Sequence, residues 1–134
     1  MSNKRMFLVI DDDPDDAITF CETLKELDPH VEFTMLTNGD EALEFLRSNE
    51  LLPALIVLDL NMPKMSGKQF LAALKSDNRL SPIPVVIYTT SSAQRDIDDT
   101  AQLGAAHFIT KPNDLKILEM ELIYLLQHWG NGTP

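Results

Sequence analysis

Aspartates, a threonine and a lysine stand directly behind short apolar runs in this chain. Asp11 and Asp12 follow Met6–Ile10, Asp59 follows Leu55–Leu58, Thr89 follows 85–88, and Thr110 and Lys111 follow 105–109. Three carboxylates brought near one another repel, so each must be neutralised, protonated or paired. Lys111 can offset part of that charge and a hard divalent cation the rest. Mg²⁺ takes oxygen ligands, keeps several waters and usually needs one or two carboxylates plus a phosphate oxygen. A carboxylate can also accept a phosphoryl group. Asp59 is a suitable acceptor because a carboxylate is already ionised near pH 7 and needs no adjacent general base. Phosphoryl transfer is mostly positioning and charge stabilisation. Lys111 can bind a phosphoryl oxygen as a point charge, and Thr89 can donate a hydroxyl hydrogen bond.

These residues converge only if the apolar runs lie side by side. Short unbroken apolar runs suit strands buried on both faces. Three of them, Met6–Ile10, Leu55–Leu58 and 85–88, are predicted as strands buried on both faces; 31–36 and 105–109 are predicted as two more. Helical patterns lie between them. Asp13 followed by Pro14 is a cap and first-turn proline, with Asp15 and Asp16 suited to the positive end of the helix dipole. Asp13, Asp15 and Asp16 therefore read as helix-start residues. Ala17, Cys21, Leu24 and Leu27 continue at helical spacing. Further helices are predicted over 41–46, 67–74 and 93–103, the last with Ser92 as cap and Gly104 just past its end. Leu115, Leu118, Leu122, Leu125 and Trp129 form the stripe of a fifth, closed by Gly130. Strand and helix alternate five times, which predicts an α/β domain with a parallel sheet, right-handed crossovers and helices on both faces. In such a sheet all strand C-terminal ends share one edge, where ligands bind.

Bulk composition narrows the function. The chain has 134 residues, a length for one domain, and a formal net charge of -10. Excess negative charge disfavours nucleic-acid binding, which needs a basic surface, and adsorption to anionic membranes. Met6–Ile10 is too short for a signal peptide or a membrane span, so the expected compartment is the cytoplasm. The single cysteine, Cys21, permits no internal disulfide and reads as a small core residue. His30, His107 and His128 fall in separate elements without a serine or cysteine partner and read as structural or surface residues. The residues after 129 are expected to form a short flexible tail.

Four segments carry a resemblance. They are Leu8, Val9 and Ile10 with Asp11, Asp12, Asp13 and Pro14; Leu58, Asp59, Leu60, Asn61, Met62, Pro63 and Lys64 through to Gly67; Val86, Tyr88, Thr89 and Ser91; and Phe108, Ile109, Thr110, Lys111 and Pro112. In this order they resemble the receiver domain of two-component response regulators, over nearly the whole chain (core about 5–129). The loop 60–64, the segment 88–91 and the pair His128 and Trp129 are similar to the small regulators paired with bacterial phytochrome-type kinases.

The resemblance implies a flavodoxin-like (βα)5 fold with strand order 2-1-3-4-5. It implies that Asp59 is the phosphoacceptor, that Asp11 and Asp12 with Asp59 and the Asn61 backbone carbonyl hold Mg²⁺ or Mn²⁺, and that Lys111 contacts the phosphoryl group. Thr89 becomes the switch hydroxyl and Phe108 the switch aromatic, with plain core packing as the alternative for Phe108. The bond between Lys111 and Pro112 is expected to be cis, a form accessible mainly before proline. The donor is expected to be a histidine kinase or phosphotransfer protein. The chain ends soon after its fifth helix, which suits a stand-alone switch rather than a conventional enzyme. Its output is expected to be a downstream protein or a second copy docking on the face of the fourth helix, fifth strand and fifth helix. Ile117, Ile123 and Tyr124 either serve that face or pack into the core. Two rivals fit less well. A haloacid-dehalogenase phosphatase needs a second aspartate where this chain has Asn61, and a flavodoxin would place its phosphate loop where this chain has aspartates. A degenerate receiver, unphosphorylated, is disfavoured by the presence of Asp59, the acidic pair, Thr89 and Lys111.

Overall fold

Alternating apolar side chains within unbroken runs decide the architecture, because each strand must satisfy two faces at once. In the computed structural model, which describes residues 6–130, five strands pair in parallel in the order β2-β1-β3-β4-β5. The elements are β1 (Met6–Ile10), α1 (Pro14–Leu27), β2 (Glu32–Leu36), α2 (Gly39–Ser48), β3 (Leu55–Leu58), α3 (Gly67–Lys75), β4 (Val85–Thr89), α4 (Gln94–Gln102), β5 (His107–Thr110) and α5 (Leu115–Leu125). A π-helical turn, Leu126–Gly130, closes α5. The expected tail (131–134) and the start of the expected core at Arg5 lie outside the described residues.

On one face, Phe7, Val9, Val57, Val86 and Tyr88 pack against Phe20, Cys21 and Leu24 of α1 and Leu118, Leu122 and Leu125 of α5. On the other, Leu8, Ile10, Ile56, Leu58 and Ile87 pack against Ala42, Leu43 and Leu46 of α2 and Phe70, Leu71 and Leu74 of α3. Each fully buried large side chain contributes about 1.5–3 kcal/mol relative to exposure, so the doubly covered β1, β3 and β4 carry most of the sheet's stability. Cys21 is buried among these residues, and burial pushes its thiol up to about 12. That makes it an inert packing residue.

Local signals act largely where expected. Asp13 caps α1 by accepting from the Asp15 and Asp16 amides, with Pro14 opening the helix. Ser66 and Gln69 cap α3 reciprocally. Gly104 takes φ 102 just beyond α4, a conformation open to glycine at no steric cost. Other expectations are corrected. α2 begins earlier than 41, because Asn38 caps it through the Glu41 amide. α4 has Ala93 at its cap position with no side-chain cap bond. Ser91, not Ser92, organises that turn, accepting from the Ala93 amide and donating to Asp96. β5 starts at His107, two residues later than expected. Leu115 is exposed, so the α5 stripe begins at Leu118. Ile117, Ile123 and Tyr124 are exposed rather than packed into the core.

Candidate functional site

Ladder bonds running just past the strand ends bring the polar residues together. The Asp11 amide donates to Leu36 O at 3.0 Å and the Asp59 amide to Ile10 O at 3.0 Å. The Lys111 amide donates to Thr89 O at 2.6 Å. The backbones of Asp11, Asp59, Thr89 and Lys111 are thereby pinned along one edge of the sheet, as the apolar runs predicted. Asp11, Asp59 and Thr89 are buried, whereas Asp12 and Asn61 are exposed.

One carboxylate oxygen each from Asp11, Asp12 and Asp59 lies within 4.8 Å of the other two. Asp11 Oδ1 accepts from the Asp13 amide at 2.9 Å, and Asp59 Oδ1 accepts from the Asn61 amide at 3.3 Å. Burial dominates at Asp11 and pushes its carboxyl up to about 6, against the lowering influence of the Asp13 amide and Lys111. Asp11 Oδ2 faces Lys111 Nζ at 2.9 Å as an ion pair, yet accepts no well-angled hydrogen bond. A buried carboxylate oxygen left so, beside two further carboxylates, fits a hard divalent cation with oxygen ligands.

Lys111 is the hub. Its Nζ also lies 2.8 Å from Asp16 Oδ2 and 3.6 Å from Asp59 Oδ2, and 5.5 Å from the centre of the Tyr88 ring. Burial disfavours the ammonium, but the adjoining carboxylates of Asp16 and Asp11 more than offset this and raise its pKa. The described residues contain no cis peptide bond, so the expected cis bond between Lys111 and Pro112 is corrected to trans. Trans is the form a tertiary amide still favours, and with it Lys111 reaches all three carboxylates. The Thr89 hydroxyl is buried and has no hydrogen-bond partner. Phe108 is half-buried against the core and lines a pocket of about 190 Å³ with Ile97, Thr100, Ala101 and Ala105.

The loop behind Asp59 returns to it through Gly67, whose amide donates to Leu60 O at 2.9 Å. Lys68, next in sequence, pairs with Asp96 at 2.7 Å and Asp99 at 2.9 Å on α4. The Thr110 hydroxyl donates to Ser91 O at 2.9 Å. The site loop, the start of α4 and the end of β5 are therefore mechanically linked.

The receiver-domain family model, described as the response regulator receiver domain, matches residues 7–122. The chain is a response regulator receiver. Receiver domains are phosphorylation-dependent signalling switches of two-component systems rather than conventional enzymes, and they bind Mg²⁺ or Mn²⁺ at an acidic pocket. Receiver-domain relatives interact with histidine kinases or phosphotransfer proteins. Response regulator Rcp1 of Synechocystis sp. is 34% identical over 119 residues, covering 85% of this chain and 81% of that protein. The phosphorylated cyanobacterial phytochrome response regulator RcpA aligns with a TM-score of 0.88 at 31% identity, over 98% of this chain and 97% of that one. The Mn²⁺-bound form of Rcp1 aligns with a TM-score of 0.83 at 32% identity, over 93% and 94%. The receiver reading from the four segments, and the likeness to phytochrome-type regulators from the loop 60–64, the segment 88–91 and the pair His128 and Trp129, agree with these relatives.

Asp16 is the residue that sequence reasoning placed too modestly, as a helix-start charge. No local spacing signals its role, because Asp16 sits in the first turn of α1 and its partner Lys111 lies 95 positions along the chain. Among the described residues, no helix is long and apolar enough to cross a membrane.

Proposed function

We propose that residues 1–134 form a single receiver domain that accepts a phosphoryl group on Asp59 and acts in the cytoplasm. The observation that carries this reading is the Asp59 carboxylate, buried beside Lys111, with the oxygens of Asp11 and Asp12 at its side. Asp11, Asp12 and Asp59 would hold Mg²⁺ or Mn²⁺ together with the Asn61 backbone carbonyl. When bound, the cation supplies positive charge to the phosphoryl oxygens.

In the transfer, a carboxylate oxygen of Asp59 attacks phosphorus as the phosphorus–nitrogen bond of a phosphohistidine breaks. The electron pair leaves with the imidazole nitrogen, which takes up a proton, and Asp59 becomes an acyl phosphate. Lys111 donates to a phosphoryl oxygen and stabilises its charge. The unpartnered Thr89 hydroxyl gains an acceptor by moving toward the phosphoryl group, and Phe108 turns inward into the space this opens. Both motions bias a two-state surface of α4, β5 and α5. Exposed Ile117, Met120, Ile123 and Tyr124 supply apolar area on α5 for a downstream protein or a second copy.

Incubation with acetyl phosphate, with and without Mg²⁺, read by intact mass, tests the chemistry. Wild type should gain one phosphate only with Mg²⁺, and Asp59→Asn should gain none. Labelling of Asp59→Asn would move the acceptor elsewhere. Mg²⁺ should also raise the melting temperature of the unphosphorylated protein, because a ligand bound only by the native state stabilises it.

A further inference from the structure

Asp16 lies outside the cluster of Asp11, Asp12 and Asp59, yet it makes the shortest contact to Lys111, 2.8 Å against 2.9 Å for Asp11 and 3.6 Å for Asp59. We propose that Asp16 is a positioning residue that competes with the phosphoryl group for Lys111 and so limits how tightly the phosphorylated state is held. This rests on the reading of Asp59 as phosphoacceptor.

An ammonium has three donors and no acceptor. One is given to Asp16 and the charge also pairs with Asp11, and in that position the nitrogen lies beyond hydrogen-bond distance of Asp59. The Lys111 side chain is only 9% exposed, so water does not readily replace either partner. The Asp16 backbone is held by the start of α1, where its amide donates to the Asp13 cap at 3.3 Å. Its backbone therefore does not follow the lysine when Nζ moves toward Asp59.

Two effects of that carboxylate act in the same direction. Nζ must approach Asp59 to bind a phosphoryl oxygen, which stretches the Asp16 contact. The Asp16 charge also repels an incoming phosphoryl dianion and offsets the field of Lys111. Asp16 is 41% exposed, so solvent screens both effects and they tune the site rather than close it.

Beryllofluoride, a phosphoryl mimic, provides the test at fixed Mg²⁺, with affinity measured calorimetrically. Asp16→Asn should bind it about two- to fivefold more tightly than wild type, the range of a half-exposed ion pair. The gap should narrow as salt approaches about 1 M. Asp16→Glu, which keeps the charge within reach, should return toward wild type. Asp15→Asn removes a first-turn charge of the same helix that has no contact with Lys111, and it should leave the affinity unchanged. An Asp16→Asn affinity equal to or weaker than wild type, while wild type binds and Asp59→Asn does not, would overturn this proposal alone. Wild type that binds no beryllofluoride would overturn the phosphoacceptor reading and this proposal with it.

Discussion

Replacing Gly67 by alanine probes the coupling between the loop and the acceptor. Gly67 opens α3 directly behind the segment that carries Asp59. A Cβ at this position would sit 2.4 Å from Asp59 O and 2.6 Å from Leu60 Cα. Ordinary contacts lie near 3.5–4.0 Å, so the backbone of Asp59 and Leu60 must retreat by about 1 Å or the helix start must tip. Both obstacles are backbone, which cannot rotate away. Overpacking of this kind costs about 1–3 kcal/mol. A 1 Å misplacement of a reacting group costs up to about 10²-fold in rate. Gly39 provides the control. It also opens a helix, so alanine brings the same gain in helix propensity. The three atoms nearest a Cβ there all belong to the Met65 side chain, with Sδ at 2.8 Å, and methionine is flexible enough to yield. Gly67→Ala should lower the urea midpoint and slow acetyl-phosphate labelling by ten- to about a hundredfold. Gly39→Ala should change both little. A Gly67→Ala protein with wild-type midpoint and labelling rate would refute the argument that this glycine sets the position of Asp59.

Asp11 makes the metal-free protein pH-dependent. Its folded pKa is raised from 3.8 to about 6, so between about pH 4 and 6 the folded chain binds more protons than the unfolded one, and stability falls as pH rises. The loss has an upper bound of about 3 kcal/mol; denaturation curves in chelator should show this slope and Asp11→Asn should flatten it, while an equally steep slope in the variant would assign it elsewhere. Lys64 holds φ 67 in a tight turn where the Met65 amide donates to Pro63 O at 2.8 Å. A side chain there costs about 1–2 kcal/mol and glycine adds about 0.4–1 kcal/mol of unfolded-state entropy, so Lys64→Gly should raise the unfolding free energy by up to about 1.6 kcal/mol, read as a higher urea midpoint; a lowered midpoint would show that Lys64 makes contacts outweighing the strain.

The sequence by itself determined the elements and the edge on which the chemistry lies. Apolar runs such as Leu55–Leu58 specify buried strands, Asp13 with Pro14 specifies a helix start, and polar residues placed behind the runs must emerge at the strand ends. These are short-range patterns, legible because burial and capping act on neighbours in the chain. The order β2-β1-β3-β4-β5 came only through family resemblance, since pairing Phe7 with both Phe33 and Leu55 is a contest among distant segments that periodicity does not register. Tertiary structure alone decided that Asp16 reaches Lys111 across 95 positions, that a Cβ on Gly67 would strike the backbone of Asp59, and that the Thr89 hydroxyl is buried without a partner. It also left Ile117, Ile123 and Tyr124 facing outward, because α5 meets the sheet through Leu118, Leu122 and Leu125 and one helix face cannot cover a second layer that is absent. Each of these depends on where two distant segments come to rest against each other, a sum of many small packing terms that no local pattern contains.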